Sequence, residues 1–264
     1  MQINNPFIKQ AQNSASENID VRVDETLAAS KKGIGFKTLF LIIAAIASGV
    51  IVATLFNKVF YSEDMTEAQM SSYLGKLVSA LLIAAITSSI GFIIGRFIPS
   101  AAVVGGPIYA VGEGALLGAL CALCELYLPG ITAVAGLGTA IMALITYAAY
   151  ALGLRKHMGK VASFFIIYAI SLLLAIVALN LYLLFNNVSD SSAFGINIII
   201  CIAYLAYGVL MLLLNFEEAS QAVAQGVDKK YEWSIALGLV YTILMIFYYL
   251  LYLILTIASK AKKD

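Results

Sequence analysis

Seven apolar blocks, each about as long as a bilayer is thick, divide this chain and leave it few ways to fold. A helix needs about 20 mostly apolar residues to cross a hydrocarbon core of roughly 30 Å. The blocks run over 38–57, 77–95, 107–127, 131–153, 161–185, 193–214 and 234–258. Each must be helical, because an isolated strand leaves its backbone unsatisfied in lipid. At 62% hydrophobic and 12% charged, the composition departs from that of soluble domains in the direction such blocks require. The expected fold is therefore an all-α polytopic membrane protein, with a membrane domain over 35–260. Residues 1–34 are polar, mixed in charge and without an apolar signal stretch, and read as a largely disordered cytoplasmic tail. Residues 261–264 form a short basic tail.

The connections are too short for a second domain. Pro129 and Gly130 nearly alone join the third block to the fourth, which predicts a helical hairpin. Gly91 with Gly95, and Gly114 with Gly118, have the GxxxG spacing that lets membrane helices approach closely. Basic residues set the orientation. An N-in arrangement places Lys31, Lys32, Lys37, Arg96, Arg155, Lys156, Lys160, Lys229 and Lys230 on the cytoplasmic side, as the positive-inside rule prefers. It leaves Lys58 and Lys76 outside. It also sends Lys260, Lys262 and Lys263 outside, against the rule.

Several function classes fall away. A net charge of +1 without a basic stripe gives no nucleic-acid signal. Cys121 and Cys124 form a CxxC inside a span, where small apolar packing residues are expected rather than a redox pair. His157, the one histidine, sits in a basic loop and reads as solvated. Paired glutamates such as Glu217–Glu218 occur in intramembrane prenyl-protein proteases, whose pattern is EExxxR with histidines elsewhere. Here the arginine position holds Ala222 and the histidines are missing, so no enzyme is expected. No cofactor is called for.

Two glutamates in the third block raise the functional question, since an acid at the bilayer centre costs about 2.5–3.5 kcal/mol on insertion scales. Glu125 lies two residues from the end of its block and can reach water. Glu113 lies roughly 9 Å in from Pro107 at 1.5 Å per residue. With N-in, the sixth block brings Asn215, Glu217 and Glu218 towards the same inner side, and the seventh brings Thr242, about 12 Å from Ser234. These acids either form a structural knot with partners such as Ser88, Ser89 and Tyr241, or contact a cation, with Glu113 and Glu217 as transient calcium ligands. Either site would respond to pH. Trp233 reads as an interfacial anchor, Tyr241, Tyr248 and Tyr252 as one packing face, and Asn180 and Asn197 as interhelical hydrogen-bonding residues.

The stretches "GGPIYAVGEGALLGALCALCELYLPGI" and "LNFEEASQAVAQGVDKKYEWSIALGLVYT", with an early "NPF", resemble the bacterial branch of the Bax-inhibitor, or YccA-like, transmembrane family. The resemblance covers about Lys37 to Lys260. It implies seven helices with the seventh central and surrounded by the other six. It also implies a pH-sensitive calcium leak through the bundle, in the plasma membrane of a bacterium with the C-terminus outside. In such proteins two aspartates, late in the sixth helix and in the seventh, share a proton and gate the pore. Their positions here hold Asn215 and Thr242, so the titrating pair is absent. Glu217 or Glu113 is then the candidate to take over a charge role. The family also includes members that bind and restrain a membrane-bound protease, which makes a regulatory protein with purely structural acids the second reading. Beyond the lipid bilayer and such a protease, the sequence names no partner, and it leaves the oligomeric state open.

Overall fold

The structure, a computed structural model, describes residues 28–60, 66–185 and 190–261. Seven α-helices account for almost all of them: α1 (Lys31–Phe60), α2 (Glu67–Phe97), α3 (Ala102–Tyr127), α4 (Ile131–Leu152), α5 (Met158–Phe185), α6 (Asp190–Ala224) and α7 (Tyr231–Ala261). Single 3-10 turns, Pro99–Ala101 and Leu154–His157, lead into α3 and α5. Among the described residues the only strand-like pairing is one antiparallel bridge between Ala28 and Asp228. All seven helices are long and apolar enough to cross a membrane. Large apolar side chains stay uncovered along them, for example Ile166, Ile167, Leu173 and Leu174 of α5. A helix that is apolar on every side and unburied has lipid as its solvent. The chain is thus an all-helical, multi-pass membrane protein in contact with the bilayer.

Helices run past their apolar blocks wherever the flanking residues favour it. Thr66 opens α2 ten residues before Leu77 through a capping box with Gln69, each satisfying a backbone N–H of the other. α3 starts five residues before Pro107, which it carries inside the helix. α6 continues from Leu214 through the helix-favouring run of Glu217, Glu218 and Ala219. Of the stretch 1–34 expected as a tail, residues from Ala28 are described, and α1 begins at Lys31; residues 1–27 and the tip of the basic tail, 262–264, lie outside the described residues. Gly130 joins α3 to α4 with φ 87°, a left-handed conformation that glycine adopts without a Cβ clash.

The chain divides into two compact units. The amino-terminal unit holds 28–129 and 219–240, hence α1 to α3 with the first part of α7. The carboxy-terminal unit holds 130–218 and 241–261, hence α4, α5, most of α6 and the remainder of α7.

In the amino-terminal unit α3 packs along both α1 and α2. Its glycines make the contacts. A Cβ on Gly105 would come within 2.6 Å of the Gly95 nitrogen, and one on Gly91 within 2.8 Å of the Tyr109 nitrogen. Gly114 and Gly118 lie against the backbone of Ala45 and Gly49 in the same way. Both GxxxG pairs therefore serve helix contact, backbone against backbone. Ser48 adds a hydrogen bond to the Val111 carbonyl at 2.7 Å.

The carboxy-terminal unit packs through rings instead. Tyr204 of α6 stacks on Tyr249 of α7 with centroids 4.2 Å apart. Phe165 of α5 stacks on Tyr207 of α6 at 5.1 Å. Tyr168 donates to the Ala203 carbonyl at 2.8 Å. Tyr150, Met158 and Leu213 form a buried cluster with Phe216 against it.

Candidate functional site

At the end of α6 the apolar run Leu212–Leu214 gives way to Asn215, and the helix carries on with polar residues on more than one face. At 100° per residue, Asn215 and Glu217 point about 200° apart. Their partners follow that geometry. Asn215 turns to α7 and donates its side-chain N–H to Thr242 Oγ1 at 2.6 Å. Both residues are buried, Thr242 completely. Glu217 turns to α4 and accepts a hydrogen bond from the Tyr150 hydroxyl at 2.7 Å. Its neighbour Phe216 lies between the rings of Tyr147 and Tyr150, with centroids 5.4 and 6.0 Å away. Glu218 is half-buried on the same turn.

Glu113 belongs to the amino-terminal unit, as Asn215, Glu217, Glu218 and Thr242 belong to the other. It is half-buried and accepts from Ser88 of α2 at 3.1 Å. Ser88 can come this close because Gly112 has no side chain: a Cβ there would meet that of Ser88 at 2.8 Å. Ser89 instead donates to the Ala85 carbonyl of its own helix, and Tyr241 lies in the other unit. Of the three knot partners named from sequence, Ser88 alone is bonded to Glu113. Among the described residues, no three His, Cys, Asp or Glu side chains gather as a metal site.

The secondary readings fall into place around these contacts. His157 is exposed in its 3-10 turn. Cys121 and Cys124 are buried and in no disulfide. Tyr248 and Tyr252 stack with centroids 6.4 Å apart on one face of α7. Asn197 is half-buried; the Asn180 side chain lies outside the described residues.

One polar centre is absent from the sequence reading. Glu232, in the first turn of α7, is wholly buried and holds the start of α1. Its Oε1 accepts from the Ser30 N–H at 2.7 Å and from Ser30 Oγ at 3.3 Å. Its Oε2 forms an ion pair with Lys37 Nζ. Ser30 in turn caps α1, its Oγ accepting from the Gly33 N–H at 2.9 Å. Gly33 leaves room for the carboxylate, since a Cβ there would stand 2.6 Å from the Glu232 carboxyl carbon. Lys37 Nζ also lies over the Trp233 ring, 5.4 Å from its centroid, and Phe40 meets that ring edge-on at 5.9 Å. Nearby, Arg96 and Ser234 exchange hydrogen bonds: the guanidinium donates to the Ser234 carbonyl and Ser234 Oγ to the Arg96 carbonyl. The sequence signal was a lone acid and a lone base, each near the start of an apolar block. Nothing local says that they pair.

The family described as Bax inhibitor 1 like matches residues 4–259. Comparison with curated proteins gave no match, and neither did comparison with solved structures. A match over nearly the whole length shows the family: the chain belongs to the Bax inhibitor 1 like proteins.

Proposed function

We propose that this member of the family passes cations, calcium among them, through a helix bundle built around α7, and that its leak is not gated by a shared proton. The observation that carries this reading is the buried Asn215–Thr242 hydrogen bond. It stands where the sequence resemblance puts the titrating aspartates. Two close carboxylates respond to pH because they cannot both ionise easily. An amide and a hydroxyl hold each other without a proton to lose, so α6 and α7 part or stay together on packing alone. Glu113, Glu217 and Glu218 supply oxygen contacts for a passing cation, and none has a catalytic role. In this reading the membrane is the plasma membrane of a bacterium, with the N-terminus in the cytoplasm and the C-terminus outside.

The test uses the full chain in liposomes with a calcium dye inside, between about pH 6 and pH 8. Wild-type protein is expected to leak with little pH dependence, and Asn215→Asp with Thr242→Asp to gain it. Glu113→Gln with Glu217→Gln should lower the flux. Silent liposomes holding folded protein would overturn the reading. Silence together with co-purification of a membrane protease would favour the regulatory role, to which the loss of the acidic pair also lends weight.

A further inference from the structure

Contacts around Glu232 join the two segments that carry lysine pairs far apart in sequence. Lys31 and Lys32 open α1, and Lys229 and Lys230 immediately precede α7; all four are exposed. The segment before α1 is strapped to the segment before α7. Ala29 N–H donates to the Val227 carbonyl at 2.7 Å, and Ala28 bridges Asp228. Ser30 and Lys37 then grip Glu232. All of these residues belong to the amino-terminal unit.

Among the described residues the local charge does not cancel. Lys37 occupies Glu232, and Asp228 meets Lys230 at 3.3 Å in an exposed pair, weak in such a setting. Lys31, Lys32 and Lys229 add further positive charge, and the first turn of α1 contains no acid. Helix dipoles disfavour cations at their amino ends, so α1 and α7 themselves oppose these lysines. An orientation signal alone needs basic residues on one side of the membrane but not two pairs strapped together. Trp233, half-buried beside the strap, is the kind of ring that settles at headgroup level.

We propose that Lys31, Lys32, Lys229 and Lys230 form a single site for the headgroup of an anionic phospholipid, in the interfacial layer where α1 and α7 begin. The strap assembles the site by holding the two pairs side by side. Juxtamembrane lysines attract anionic lipid individually; what distinguishes an assembled site is that its halves depend on each other. This holds whether or not the bundle conducts.

The experiment follows thermal unfolding of the full chain in neutral detergent micelles with phosphatidylglycerol or phosphatidylcholine added. Phosphatidylglycerol is expected to raise the midpoint above that with phosphatidylcholine. Lys31→Gln with Lys32→Gln, and separately Lys229→Gln with Lys230→Gln, should each remove most of that rise. All four changes together should remove little more, the non-additivity of a shared site. Ala29→Pro deletes the N–H that bonds Val227 and leaves every charge in place; it too should lose the rise. Losses that add as independent charges would overturn the proposal, as would a full rise in Ala29→Pro. So would inorganic phosphate at matched ionic strength reproducing the effect, since no lipid would then be needed. If Ala29→Pro does not fold, the two lysine pairs decide alone.

Discussion

Two buried polar contacts of α7 solve the same problem differently. Near its start, Glu232 keeps a full charge, matched by Lys37 and hydrogen-bonded to Ser30. Ten residues further on, about 15 Å along the helix, Thr242 meets Asn215 with no charge on either side. The difference follows from depth. Close to a helix end a lysine stem can bring its ammonium to the acid while one side stays near polar surroundings, and the Lys37 side chain is 13% exposed. Mid-helix, two charges would have to be desolvated completely, and a neutral hydrogen bond avoids that cost. Charge at the rim and neutrality within make the first contact a strong constraint and the second a weak one.

Removing one member of the ion pair should have the largest effect. Lys37→Met leaves Glu232 buried without its cation and is expected to destabilise the protein by about 3–5 kcal/mol, read by chemical unfolding in micelles. Adding Glu232→Leu should restore most of the loss. If the single variant is as stable as wild type, the contrast between rim and interior fails. The next effect probes the backbone contact between α1 and α3. Gly114→Leu should cost about 1–3 kcal/mol or more through overpacking against Ala45, while Gly136→Leu, with open space around it, should cost far less. Equal losses would show that glycine contact does not set the packing of the amino-terminal unit.

At the neutral contact, Asn215→Leu should cost about 1–3 kcal/mol by taking away the buried amide that bonds Thr242 Oγ1, and Thr242→Val on that background should recover much of it. A double variant that stays as unstable as the sum of the singles would mean the bond is not the relevant interaction. The smallest expected change is Tyr150→Phe, which removes the hydrogen bond to Glu217 for about 1 kcal/mol. Thermal unfolding of the variant beside wild type checks it.

Hydropathy makes the seven helices visible because lipid selects for apolar length, and the two GxxxG spacings mark real contacts because only glycine lets backbones meet. The block edges mislead, for hydropathy sees where lipid begins and not where hydrogen bonding stops. Thr66 with Gln69 extends α2 through polar residues, and α6 passes straight through Glu217 and Glu218. Asn215, Thr242 and Glu113 stand out in sequence as polar residues in apolar surroundings, and Ser88 is within a short list of partners for Glu113. Glu232 does not stand out. Beside Trp233 at the edge of its block it looks solvated, and its burial depends on Ser30, Gly33 and Lys37 from the other end of the chain. The assignment of Glu217 to Tyr150 likewise needs the facing helix, α4, which no spacing along α6 reveals.

The ion pair also bears on how the molecule is made. Lys37 and Glu232 are 195 residues apart. At about 5–20 residues per second, a ribosome reaches the glutamate roughly 10–40 s after the lysine. During that interval the first helix waits in the translocation machinery or the bilayer with an uncompensated ammonium near its end. Chains released before α7 is translated never acquire the counter-ion, so the contact between α1 and α7 can form only in a chain made at least as far as Glu232.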